Sequence, residues 1–294
     1  MGLNNFVNWN FHINFARDFT QPMKSGLVSV IMPTYNTGTI LAGCIESILN
    51  QTYKNIELLI TDDKSDDEVT LAILGKYEKE DSRVKVFRLK ENDGAGTARN
   101  NSIANAAGQY IAFCDSDDRW VTDKIEKQVA FLKEKDCCLA FSSYYLCDKE
   151  GKDIGIVKAP DIVSLSMLKR DNKIGCLTAI YDTTKYGKFY LPTIRKRQDW
   201  AMFLNILMKC GCAYGIAEPL AYYGKFGDSL SRKKTSLVKY NISVYRKVLG
   251  FSAAKAVLFF LFVFMPSYSA KVAKVKIDSY RYLREKRRAA RQTR

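Results

Sequence analysis

LVSVIMPTYNTGTILAGCIESILNQTYKNIELLITDD, residues 27–63, decides the fold. LVSVIMP (27–33) is an apolar run closed by a proline, the signature of a short buried strand. A polar turn follows, and ILAGCIESILNQT (40–52) then sets Leu41, Cys44, Ile45, Ile48 and Leu49 at helical spacing. NIELLITDD (55–63) is a second apolar run, ending in acid. Strand, helix and strand in this order form a βαβ unit. Strands that are apolar throughout, rather than alternating, belong to a parallel sheet covered on both faces.

The same rhythm continues outward. DEVTLAILGKYEKE (67–80) is an amphipathic helix and RVKVFRLK (83–90) a third strand. TARNNSIANAA (97–107) is a helix with Gly108 at its C-terminal stop, and YIAFC (110–114) is a fourth strand. The expected fold class is α/β, Rossmann-like, with a mostly parallel central sheet and helices on both faces. Past residue 120 the pattern loosens. A helix (123–135), a strand CLAFSSYYLC (138–147) and a helix within KRQDWAMFLNILMKCG (196–211) are predicted, the last with Trp200, Phe203, Leu204 and Leu207 on one face. Residues 1–26 have no period, and Phe6, Trp9, Phe11, Ile13 and Phe15 mark them as an aromatic extension.

A chain of 294 residues suits one large domain, or one with an appendage. Hydrophobic residues at 47% and charged residues at 26% exclude global disorder. The net charge of +15 is concentrated at one end: residues 246–294 hold 13 Lys and Arg against 2 Asp and Glu, or +11. The eight cysteines include Cys137–Cys138 and Cys210-x-Cys212 but no paired CxxC spacing, so zinc is not indicated. With no signal peptide ahead of them, they read as reduced, small apolar residues of a cytosolic protein.

Functional residues of such sheets gather beyond the carboxyl ends of the strands. Four polar strand ends converge there: Pro33-Thr34-Tyr35-Asn36, Asp62-Asp63, Asn92-Asp93-Gly94 and Asp115-Ser116-Asp117-Asp118. Neighbouring carboxylates repel, and partial burial raises the cost. A hard divalent cation, Mg²⁺ or Mn²⁺, relieves this with oxygen ligands while keeping positions open for phosphate oxygens. A solvated turn with capping aspartates is the other reading. Asp63 could accept from a nucleobase or ribose, or cap the next helix, a role that SDDE (65–68) can also fill. Tyr35 could stack on a base or simply pack in its loop. Gly94-Ala95-Gly96-Thr97-Ala98-Arg99 has Arg99 where a dinucleotide fingerprint wants its third glycine, and it follows the third strand rather than the first. A helix start with glycines can still receive a phosphate, but a nicotinamide or flavin site is not expected. Asp199, in RKRQDW, is either an N-cap or a functional carboxylate.

VSVIMPTYNTGTILAGCIESILNQTYKNIELLITDDKSDD, NDGAGTARNNSI, GQYIAFCDSDDRW and RQDW, in that order, resemble glycosyltransferase family 2 over roughly residues 27–225. The QDW variant resembles bacterial enzymes that build capsule, exopolysaccharide, lipopolysaccharide or teichoic-type polymers. The resemblance implies the GT-A fold, with a nucleotide-sugar half (27–120), an acceptor half (121–245) and a tail (246–294). It implies Pro33, Tyr35 and Asp63 at the nucleobase. It places Asn92, Asp93, Gly94 and Arg99 near the ribose and diphosphate, and Ser116 among the donor-binding residues. Asp115-x-Asp117 corresponds to the family's D-x-D, with Asp117 the direct metal ligand and Asp115 on the ribose or on metal-bound water. Asp199 corresponds to the catalytic base. Gln198 stands where many relatives have Glu, which bears on acceptor contacts. The implied reaction is inverting, metal-dependent transfer from a nucleotide-sugar, with UDP the default base, to a glycan or lipid-linked acceptor. A nucleotidyltransferase would leave RQDW unexplained. A non-catalytic membrane module binding nucleotide or polymer would leave Asp117 and Asp199 unexplained.

SAAKAVLFFLFVFM (252–265) is an apolar block ended by Pro266, shorter than the roughly 20 residues of a spanning helix. YSAKVAKVKIDSYRYLREKRRAARQTR (268–294) then alternates apolar and basic positions at near-helical spacing. Together they read as helices in a membrane interface, placing the protein on the inner face of the cell membrane. A core helix, a spanning or re-entrant segment and a nucleic-acid arm are the other readings. The aromatic interleaving of an RNA platform is not evident, so nucleic acid is not expected as a partner.

Overall fold

The computed structural model describes residues 23–148, 150–224 and 234–292. The aromatic residues at 6–15 lie outside the described residues. Among the described residues ten strands form one sheet: β1 (Lys24–Thr34), β2 (Ile56–Asp62), β3 (Val84–Arg88), β4 (Gly108–Phe113), β5 (Arg119–Trp120), β6 (Leu139–Cys147), β7 (Asp153–Val157), β8 (Ile162–Ser164), β9 (Ile180–Asp182) and β10 (Cys212–Gly224). Their order is β3-β2-β1-β4-β9-β6-β10-β5, with β7 on β6 and β8 on β10. Strands β3, β2, β1 and β4 are parallel, as are β6 and β10; β9 joins these blocks antiparallel to both neighbours. The α/β class with a mostly parallel sheet is as the sequence predicts.

Helices α1 (Ile40–Leu49), α2 (Glu68–Glu80) and α3 (Ala95–Asn105) supply the crossovers among β1–β4, and α4 (Lys124–Glu134) leads from β5 to β6. Two apolar layers result, as a doubly covered sheet requires. One holds Val30, Met32, Ile45, Ile48, Leu58 and Ile125; the other holds Ile31, Leu59, Phe113, Trp200 and Phe203. The second half adds α5 (Leu165–Arg170), α6 (Gln198–Cys210) and α7 (Lys234–Lys247). Asp67 caps α2, accepting from the Thr70 N–H at 2.7 Å, which is the cap available in SDDE.

Two local expectations are corrected. Gly108 does not stop α3. It opens β4, where a Cβ would fall 2.6 Å from the Leu27 carbonyl oxygen, so the glycine is there for close approach to β1. Pro266 does not end the C-terminal helix. α8 (Ala253–Phe259) runs through a π-helical turn (Phe260–Phe264) into α9 (Met265–Gln292), one helix of 40 residues. The wider turn lies just where the proline ring would otherwise meet the carbonyl four residues back. One face of this helix packs on the domain through Ala256, Phe260 and Phe264, and Phe264 lies 5.7 Å from the Trp200 ring. Farther along, Ser279 bonds the Ile156 backbone, and Tyr282 and Lys286 bond Asp153.

Candidate active site

The carboxyl ends of β1, β2 and β4 are tied into one rim by side-chain hydrogen bonds. Asn36, in the left-handed region at φ 47°, accepts from the Asp66 and Asp67 N–H groups and donates to Asp66 Oδ1 at 2.6 Å. The hydroxyls of Thr34, Thr37 and Ser116 form a chain with 2.9 Å links. It joins the loop after β1 to the acidic turn after β4. Pro33 is buried within β1, whereas Tyr35 is 49% exposed on the rim.

Asp63 is nearly buried, and its carboxylate is committed. Its oxygens accept from the Asp93 N–H at 2.9 Å and the Gly94 N–H at 2.8 Å. Burial, which outweighs those two bonds, raises its pKa. Asp63 thus builds the Asn92–Gly94 turn, and the turn aims the start of α3 into the crevice. Gly94 takes φ 90° there, a conformation open to glycine.

From α3, Arg99 reaches the acidic turn, with Nη2 2.5 Å from Asp115 Oδ1. Burial works to lower the Arg99 pKa, yet the charge of Asp115 and, more weakly, that of Asp199 hold it above its ordinary value. Asp115 stays about a third exposed in this pair. Burial, then repulsion from Asp115, pushes the Asp117 carboxyl up to about 6. Asp118 turns inward. It is buried, accepts from the Gly224 N–H at 3.2 Å, and is pushed well above the carboxylate range by burial and its two neighbours. The four residues Asp115–Asp118 therefore divide in role: Ser116 and Asp118 fasten the turn to the loop after β1 and to β10, while Asp115 and Asp117 stay partly exposed. Beneath them Cys44 and Cys114 are buried with sulfurs 3.7 Å apart.

Asp199 sits in the first turn of α6. Arg197 occupies the N-cap position in the left-handed region without a side-chain cap bond, so Asp199 is not the N-cap. Its Oδ2 instead accepts from Asn172 Nδ2 at 2.9 Å. Trp200 anchors the turn: it is fully buried, donates through Nε1 to the Leu168 carbonyl at 2.8 Å, and meets Tyr245 edge to face at 5.5 Å. Gln198 lies against the start of α3, where a Cβ on Gly96 would fall 2.0 Å from its Nε2. The QDW triplet thus joins α3 of the first half to α5 and the C-terminal helix.

Three residues at this junction carry no signal in the sequence. Asn172 lies in a short polar loop after α5. Cys176, whose thiol pKa is raised by burial, feels Arg99, Asp115 and Asp199 together. Tyr144, also raised by burial, feels Asp118 and Asp199. Only the folded chain brings them to the crevice. Among the described residues no three His, Cys, Asp or Glu side chains converge as a closed metal centre. The acidic turn instead offers two half-buried carboxylates with Arg99 paired to one. That donor set suits a hard divalent cation that takes its remaining oxygens from a phosphate ligand.

The sequence model described as Glycosyl transferase family 2 matches residues 29–198. The chain is 40% identical over 223 residues to TuaG of Bacillus subtilis (strain 168), a candidate teichuronic acid biosynthesis glycosyltransferase, covering 76% of this chain and 88% of the relative. It is 37% identical over 208 residues to the Escherichia coli UDP-Glc:alpha-D-GlcNAc-diphosphoundecaprenol beta-1,3-glucosyltransferase WfaP, covering 71% and 81%. The S. aureus TarS 1-349 structure in complex with UDP-GlcNAc superposes with a TM-score of 0.63 at 20% identity, over 83% of this chain and 76% of that one. This likeness shows the fold, a GT-A arrangement.

Proposed function

The chain belongs to glycosyltransferase family 2, and from that premise we propose an inverting, metal-dependent transfer of sugar from a UDP-sugar to a hydroxyl of a glycan or lipid-linked acceptor in bacterial surface polysaccharide synthesis. The observation that carries this reading is the placement of Arg99, which pairs with Asp115 and lies in the field of Asp199. One cation thereby links the acidic turn to the carboxylate of α6. The relatives' printed names, which include a glucosyltransferase acting on a diphosphoundecaprenol-linked sugar, favour a lipid-linked acceptor.

In this reading Tyr35, Pro33 and Asp63 frame the nucleobase, with Asp63 acting through the Asn92–Gly94 turn that it holds. Arg99, Ser116 and the start of α3 face the ribose and diphosphate. Asp117 and Asp115 would hold the divalent cation, Mn²⁺ or Mg²⁺; when bound, it supplies Lewis-acid stabilisation of the leaving diphosphate. Asp199 takes the proton from the acceptor hydroxyl as its oxygen attacks the anomeric carbon, and a single displacement inverts that centre. Asn172, donating to one oxygen of Asp199, orients the carboxylate for this step.

The test is UDP release from a panel of UDP-sugars with Mn²⁺, alongside thermal-shift titration of UDP with and without Mn²⁺. Asp199→Asn should bind UDP as the unaltered protein does and lose turnover by about 10²–10⁴-fold. Asp117→Ala should lose the Mn²⁺-dependent part of both signals while remaining folded. UDP release unchanged in Asp117→Ala would refute the metal assignment. Failure to hydrolyse any UDP-sugar would refute the donor.

The C-terminal helix is read as a membrane-surface element on the inner face of the cell membrane. Its outward stripe holds Val257, Leu258, Leu261, Phe262 and Met265, with Phe262 73% exposed. An open groove of about 620 Å³ beside it places Phe259, Phe262 and Pro266 opposite Lys169 and Arg170, apolar surface next to cationic surface. That pairing matches an acyl layer under anionic headgroups. By length and composition the helix could cross a membrane, but its bonds to Asp153 and Ile156 hold it along the flank of the domain. Cosedimentation with phosphatidylglycerol vesicles should be lost in Leu258→Glu/Phe262→Glu; undiminished binding would remove the stripe from the reading.

A further inference from the structure

We propose that Asn172, clamped by Lys271 of the C-terminal helix, is a positioning residue for Asp199, so that the helix with the lipid-facing stripe also sets the geometry of the catalytic carboxylate. This rests on the reading of Asp199 as the base.

The geometry is a short relay. Lys271, on α9, donates through Nζ to the main-chain carbonyl of Asn172 and lies 3.2 Å from Asp171 Oδ2. Asp171 is buried, with the Lys173 ammonium a more distant 3.9 Å away, so Lys271 is its nearer counter-charge. A buried carboxylate and a main-chain oxygen thus fix Lys271, and Lys271 fixes the 171–172 segment. The Asn172 side chain is then oriented locally. Its Oδ1 accepts from the Ile174 N–H at 3.2 Å, which assigns Nδ2 to the other side, where it donates to Asp199 Oδ2 at 2.9 Å.

The choice of an amide is chemically apt. A lysine or arginine bonded directly to a carboxylate favours its charged form and makes it a weaker base. A neutral amide orients one oxygen at smaller cost in basicity and leaves the other for the acceptor proton. Arg99, Cys176 and Tyr144 feel the charge of Asp199 from elsewhere in the fold, and Asn172 is a neutral donor to it. The relay starts on a segment 100 residues away in sequence from Asp171. A helix that served only as a membrane tether would have no need of it.

The test measures UDP release in detergent, without lipid, from whichever UDP-sugar the unaltered enzyme hydrolyses fastest. Asn172→Ala should lower kcat by about tenfold or more, leaving the KM for the UDP-sugar and the Mn²⁺–UDP thermal shift unchanged. Lys271→Met should lower kcat severalfold, and Lys271→Arg should restore most of it. In an Asp199→Asn background, Asn172→Ala should add no further loss, because the two act through one proton transfer. Unaltered kcat in Asn172→Ala, with Asp199→Asn inactive, overturns the relay while leaving the base in place. Normal turnover in Asp199→Asn overturns the base assignment and the relay with it. Should Lys271→Met not fold, for want of the Asp171 counter-charge, Asn172→Ala decides the matter alone.

Discussion

Gly96 and Gln198 occupy the same space short of a methyl group: a Cβ on Gly96 would fall 2.0 Å from Gln198 Nε2 and 2.5 Å from its Cδ. The contact crosses from α3, which carries Arg99, to α6, which carries Asp199. Gly96→Ala should separate stability from activity. Alanine inside a helix gains about 1 kcal/mol over glycine, and the group displaced is the end of a flexible side chain. The melting temperature should therefore hold or rise slightly. UDP release should fall about tenfold, because Gln198 is pushed toward its neighbour Asp199. Adding Gln198→Ser should recover most of the loss. A variant that melts as before and turns over as before would show that the contact carries no positional information.

Asp117 makes the metal reading dependent on pH. Its folded pKa of about 6 lies above the roughly 3.9 of an unfolded chain. The folded state therefore binds the extra proton between those values, and its stability falls as pH rises through that window. In metal-free buffer Asp117→Asn should melt a few degrees higher than the unaltered protein at pH 8, on the order of 1 kcal/mol after screening at a partly exposed site. The gain should vanish below about pH 4. Mn²⁺ needs the ionised form, so the Mn²⁺-dependent UDP shift should strengthen as pH rises through 6 and be flat in the variant. A Mn²⁺ response independent of pH between 5 and 7 would detach Asp117 from the cation.

Arg99 tests whether the acidic turn needs its cation for folding or for chemistry. In Arg99→Met, Asp115 loses its partner at 2.5 Å and Asp117 loses a charge that holds its pKa down. Because Asp115 is about a third exposed, the stability loss should be about 1–2 kcal/mol rather than the larger cost of a fully buried pair. Arg99→Met/Asp115→Asn should recover that loss without recovering UDP release. Recovery of both would make Arg99 a structural counter-ion alone.

The first half of the fold was readable because each strand there is a continuous apolar run and each helix has a clean period. β1, β2, β3 and β4 and their helices lie within a few residues of the predicted spans. β10 was not, since Gly215 and Pro219 interrupt its pattern; the structure absorbs them as register shifts around Ile216, Pro219 and Tyr222. The strand-end residues were legible for the same reason as the strands: position at a carboxyl end is a property of local sequence. Asn172 and Lys271 were not, because their meaning lies in who meets Asp199 and Asp171 across the fold. The C-terminal helix was half legible. Its composition announced an amphipathic element, while the π-turn that carries it past Pro266 depends on Phe260 and Phe264 having a core to enter.

Lys124 makes the last prediction, and it concerns stability alone. It is fully buried at the start of α4, with Nζ 3.8 Å above the Trp120 ring and donating to Gln128 Oε1 at 2.6 Å. Burial pulls its pKa down to about 7, against roughly 10.4 in an unfolded chain. Between those values the unfolded state binds the extra proton, so stability rises with pH across the window. Lys124→Met abolishes that slope. The variant also leaves Gln128 Oε1 without its donor, a cost of about 1–3 kcal/mol that does not depend on pH. The quantity to follow is therefore the difference in melting temperature between variant and unaltered protein, taken from pH 6.5 to 9.5. It should shift steadily in favour of the unaltered protein as pH rises. Parallel melting curves over that range would mean that Lys124 titrates as an ordinary exposed amine, and that the Trp120 ring and the Gln128 amide replace water more fully than burial alone allows.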